Sequence, residues 1–81
     1  MTKKKREAKW LDDDDNDLYF AWHHQCLVDN ALYAESGVHQ PFKIYWKQIH
    51  ERFNANTSGE VRSVVSLMNR RHILVMRSNA N

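Results

Sequence analysis

Pro41-Phe42-Lys43-Ile44-Tyr45-Trp46-Lys47-Gln48-Ile49-His50-Glu51-Arg52-Phe53 is the stretch whose reading decides the fold. Pro41 suits the first turn of a helix because it needs no amide partner there, and Phe42, Tyr45, Trp46, Ile49 and Phe53 then recur at steps of three and four residues. That periodicity predicts an amphipathic helix whose apolar face is core.

On the N-terminal side, Gly37 and Pro41 mark a connection. It is read as long, from about Leu27 to Gln40, with an extra turn around Ala31 to Tyr33, and with Leu27, Val28, Leu32 and Tyr33 covering one edge of the core. Before it, Leu18, Ala21, Trp22 and Cys26 fall at helical spacing behind the acids Asp12 to Asp15 and Asp17. Carboxylates there complement the exposed amides of a first turn, with Asp12 or Asp13 as cap. On the C-terminal side, Asn54 to Gly59 has the composition of a junction. A third helix from about Ser63 to Val75 follows, capped by Ser63 or the residue before it, with Val64, Leu67, Arg71 and Leu74 on one face. Val65, Met68, Asn69, Arg70, His72 and Arg77 occupy its other faces, a mixture of apolar groups and donors suited to a surface groove.

The expected architecture is therefore all-α, a three-helix bundle with a helix-turn-helix arrangement and a long connection between the first two helices. Trp10, Trp22 and Trp46 sit at the starts or on the apolar faces of these segments. With 81 residues the chain forms one domain with a small core. Its division is read as a basic tail over 1–8, a helical domain over 9–77 and a polar tail over 78–81. No apolar run approaches the roughly 18 residues of a membrane span, and residues 1–6 lead into Glu7 and an acidic stretch instead of an apolar signal segment. Cys26 is the one cysteine, which excludes an internal disulfide and favours an intracellular location.

The net charge of +2 conceals segregation. Lys3, Lys4, Lys5, Arg6 and Lys9 stand against Glu7 at one end, and Arg62, Arg70, Arg71 and Arg77 stand against no acid at the other. Basic ends suit a polyanionic partner, and Lys3 to Arg6 reads either as a nuclear import signal or as a solubilising tail. Catalytic and metal chemistry find little support. His23, His24, His39, His50 and His72 are scattered, and only His23 and Cys26 share a helical face, which is too few ligands for zinc. Asp12 to Asp17 lacks the frame of a calcium loop, Ser58 and Ser66 have no paired base, and Gly37 and Gly59 are isolated, so no phosphate loop exists. The chain reads as no enzyme, with no cofactor, metal, membrane or small-molecule substrate.

Trp10 with the acidic run after it, Leu18, Ala21-Trp22, Gln40, Phe42, Trp46, Ile49, Phe53, Arg62, Ser66-Leu67 and Arg70 together resemble the plant Myb/SANT-like domains associated with transposon-derived proteins. The resemblance spans about residues 9 to 77 and implies a trihelical domain whose third helix reads double-stranded DNA, in a nuclear regulator or transposon-derived protein. On that reading Asn69 pairs with an adenine edge and Arg70 with guanine or phosphate. His72 joins them on the third helix, Arg62 and Arg77 contact phosphates, and Lys3, Lys4, Lys5 and Arg6 follow the backbone or minor groove. SANT-like members imply the alternative, a protein-interaction module without intrinsic DNA binding, using Val65, Met68 and Val75 beside His72. The chain departs from the family at Arg71, where an aromatic is usual. Arg71 is expected to lay its stem on Trp22 or Trp46 and reach Asp14 or Asp17 with its head.

Overall fold

The computed structural model describes residues 9–79. It contains α1 (Asp12–Ser36), α2 (Phe42–Asn56) and α3 (Val64–Asn79), without a strand among the described residues. The chain is an all-α three-helix bundle, as its periodicity predicts.

Asp12, Asp13, Asp14 and Asp15 fill the first turn of α1, where carboxylates meet unpaired amides. The cap is Leu11, not Asp12 or Asp13. Leucine has no oxygen to offer the helix, so half of a capping box forms: Asp14 Oδ2 reaches back and accepts the Leu11 amide at 2.9 Å.

α1 then runs for 25 residues, which corrects the long connection. Nothing between Leu27 and Ser36 breaks a helix, and the first breaker is Gly37. Gly37 takes the left-handed conformation, φ 73°, and its amide donates to the Tyr33 carbonyl at 2.7 Å. Only residues 37–41 therefore join α1 to α2. Because 27–36 continue a helix that outruns its neighbours, Leu27, Leu32 and Tyr33 are exposed and only Val28 is half-buried. The short connection is tied down by Asp29, whose Oδ1 accepts the Gln40 amide at 2.6 Å while Oδ2 lies 2.7 Å from His39 Nδ1. Tyr33 stacks on His39, ring centroids 4.2 Å apart.

Pro41 stands at the N-cap of α2. Trp46, Ile49 and Phe53 are buried and Tyr45 half-buried, but Phe42, the first residue of the helix, is exposed, with its ring tilted toward Trp46. Asn54 links α2 to the entry of α3: its side chain accepts the Arg62 amide at 2.8 Å and donates to the Arg62 carbonyl at 2.9 Å. Ser63 caps α3, its Oγ accepting the Ser66 amide at 3.1 Å. α3 extends past Val75 to Asn79, so Ser78 and Asn79 belong to the helix and not to a tail.

Leu18 and Ala21 of α1, Trp46, Ile49 and Phe53 of α2, and Leu67 and Leu74 of α3 form the core. Trp10, Trp22, Tyr45, Val64 and Met68 pack around it, so two of the three tryptophans are flanking groups and Trp46 alone is fully enclosed.

Candidate interaction surface on α3

The cations of α3 and its approach decide what this helix can present. Arg62 precedes the helix, and its side chain is only 2% exposed. Its guanidinium lies over the Trp10 ring at 4.2 Å, and Nη2 donates to the Lys9 carbonyl at 3.2 Å and approaches Asp14 Oδ2 at 3.5 Å. Gly59 makes room for this carboxylate, since a Cβ at that position would stand 2.5 Å from Asp14 Oδ1.

Arg70, two turns along α3, forms a bidentate pair with Asp15, both N–H···O distances being 2.8 Å. The Asp15 hydrogen bond outweighs partial burial and holds the Arg70 guanidinium above its ordinary pKa. Its other side faces Trp10 at 5.5 Å. Trp10 thus carries a cation on each of two contacts and packs on Phe53 as well.

Two residues expected to contact DNA, Arg62 and Arg70, have internal partners. Arg62 and Arg70 are turned inward onto the acidic first turn of α1, because packing brings that turn beside α3, and an oriented carboxylate satisfies a guanidinium without a phosphate. Arg71 behaves partly as expected. Its guanidinium sits 4.7 Å from the Trp22 ring and 5.6 Å from the Trp46 ring, but it pairs with neither Asp14 nor Asp17, and its buried Nε has no acceptor among the described residues. Beside it, burial and then the Cys26 contact at 3.0 Å push the Tyr45 phenol up to about 12.

With those arginines committed, the outward face of α3 consists of Val65, Asn69, His72, Ile73 and Met76, positions that share one helical side. Val65 is 65%, Ile73 41% and Met76 57% exposed, and Val61 extends the apolar surface from the preceding loop. Of the apolar residues expected on this surface, Val65 is exposed, whereas Met68 packs on the core and Val75 is half-buried, so Ile73 and Met76 carry more of the apolar area. Continuing the helical period from Val65 through Asn69 finds Ile73 and Met76 in the sequence. Asn69, His72 and Arg77 are exposed, as contact residues must be. Arg77 lies in the last turn, where a cation complements the helix dipole. Lys3, Lys4, Lys5 and Arg6 lie outside the described residues.

No protein-family model, curated protein or solved structure matches this chain. The likeness to Myb/SANT-like domains rests on the spaced residues alone. Among the described residues no three His, Cys, Asp or Glu side chains are grouped to hold a metal, and no helix is long and apolar enough to cross a membrane.

Proposed function

We propose that this domain is a helical protein-interaction module of the SANT type, docking a partner protein on the α3 face of Val65, Asn69, His72, Ile73 and Met76. The observation that carries this reading is the internal use of Arg62 and Arg70 by Asp14 and Asp15, which leaves an exposed helix face richer in apolar area than in cations. A reader of DNA draws much of its affinity from free Lys and Arg on phosphates. On α3, Arg77 is the arginine that is exposed. An apolar strip with a few polar groups among it is instead the composition of a protein interface centre.

The test compares two kinds of binding with the same folded protein. Anisotropy of a labelled random duplex pool across a salt series is expected to show no binding that depends on Asn69 or Arg77. A partner co-purifying with the parent is expected to be lost with Ile73→Asp or Met76→Asp. Salt-sensitive duplex binding that falls with Asn69→Ala and Arg77→Ala would overturn the proposal and put DNA on α3. Duplex binding lost only on removing residues 1–6 would be nonspecific attraction by the basic end.

A further inference from the structure

We infer that the groove between α1 and α2 is a second docking site, which takes an amphipathic helical segment of a partner protein carrying a bulky apolar side chain beside a carboxylate. This site is independent of the α3 face.

The groove offers about 530 Å³ and is lined by the buried Ala21 and the exposed Phe20 and Leu27 of α1 and by Arg52 of α2. Asp17, His23, His24 and Asn56 complete this lining. Phe20 is 78% and Leu27 57% exposed although they lie seven residues apart on one side of a helix, so two large side chains stand in water next to a concave surface. A groove between two helices with anchors at this spacing is the shape that accepts the apolar face of a third helix.

Arg52 supplies the polar half of the recognition. Of the other buried or half-buried arginines, Arg62 has Asp14 and Arg70 has Asp15, while Arg71 lies over the rings of Trp22 and Trp46, away from the groove lining. Arg52 is half-buried and has no carboxylate within ion-pair distance among the described residues. It is nevertheless held in place, since its Nη1 donates to Gln25 Oε1 at 2.8 Å. Gln25 is fully buried, and its amide nitrogen is fixed by Gln40 Oε1 at 2.6 Å and by Gln48 Oε1. A buried amide network thereby orients a half-buried guanidinium that lines the groove. Its planar donors match a carboxylate. Asp17 also lines the groove but forms no ion pair with Arg52, and it is placed to accept a donor from the incoming segment.

The probe is a fluorescein-labelled helical peptide with Leu and Phe at i, i+3, i+4 and i+7 flanked by Glu, compared with a peptide in which every Glu is Gln. Anisotropy is read against the full chain, with helicity checked by circular dichroism. The Glu peptide is expected to bind about tenfold more tightly than the Gln peptide, the usual scale of one charge-assisted hydrogen bond. Phe20→Ser and Leu27→Ser, both at exposed positions, are expected to abolish binding with helicity intact. Arg52→Gln is expected to remove the preference for Glu, and Ile73→Asp to change nothing. Equal binding of both peptides to the parent, retention of binding by Phe20→Ser, or no binding by the folded parent overturns the inference. Binding lost with Ile73→Asp but kept with Phe20→Ser also overturns it, by placing the peptide on α3, and leaves the proposed function standing.

Discussion

Three arginines near α3 show how one residue type acquires different roles from its neighbours. Arg62 is buried between Trp10 and Asp14. Removing it leaves the Asp14 carboxylate with the Leu11 amide as a donor but without its counter-charge. Arg62→Ala is expected to cost about 3 kcal/mol, the scale of breaking one side of a buried pair. Urea denaturation checks this, and a loss below about 1 kcal/mol would show that water replaces the guanidinium at no great cost. Arg71 presents the opposite balance. Its cation–π contacts are worth about 1 kcal/mol, whereas a buried N–H without an acceptor costs about 1–3 kcal/mol. Arg71→Met keeps the stem and removes the orphaned Nε, so a gain of about 1 kcal/mol is expected in the same denaturation experiment. A loss would mean that the two tryptophans hold the charge more strongly than the missing hydrogen bond penalises it.

At the scale of elements, the junction of α1 and α2 depends on Asp29. The Gln40 amide lowers its pKa most, desolvation opposes that in part, and the hydrogen bond and charge of His39 add smaller lowering effects. A carboxyl with a lowered folded pKa favours the folded junction above its ordinary value and loses that contribution as pH falls through the folded value. The clasp is therefore present at neutral pH and opens on acidification below the ordinary value of 3.8. The Gln40 amide resonance is expected to report a titration below 3.8, which Asp29→Asn abolishes. A midpoint at or above the ordinary value would remove the clasp from the account. This junction also shows why the first helix was legible at its start and not at its end. Asp12 to Asp15 are a local signal, readable from charge alone. The continuation through Leu27 to Ser36 has exposed apolar residues without a clean amphipathic period, and Asp29 binding two residues after Gly37 is a contact across the turn that spacing does not display.

For the whole molecule, Trp10 matters most among residues outside the helices. It packs on Phe53 of α2, and Arg62 and Arg70 lie over its ring, so it closes one end of the bundle around groups from several segments. Trp10→Ala is expected to cost about 3 kcal/mol. That is a large share of the roughly 5 kcal/mol available to a domain at the small end of the range, so the thermal midpoint is expected to fall steeply in calorimetry. A midpoint within a few degrees of the parent would show that the three helices hold together without this closure.

The sequence by itself determined that there are three helices, narrowed the cap of α3 to Ser63 or the residue before it, and fixed the core positions Leu18, Ala21, Trp46, Ile49, Phe53, Leu67 and Leu74, because apolar period and local turn chemistry act over a few residues. It also placed Arg71 against Trp22 or Trp46, and the structure sets its guanidinium by both rings. Only the tertiary structure decided which arginines are free. Asp14 and Arg62 are 48 positions apart, and Asp15 and Arg70 are 55 apart. No periodicity spans such distances. Their pairing follows from packing α3 beside the first turn of α1, and once the carboxylates are there, burial makes an internal partner for each guanidinium worth more than an exposed position facing solvent or a ligand.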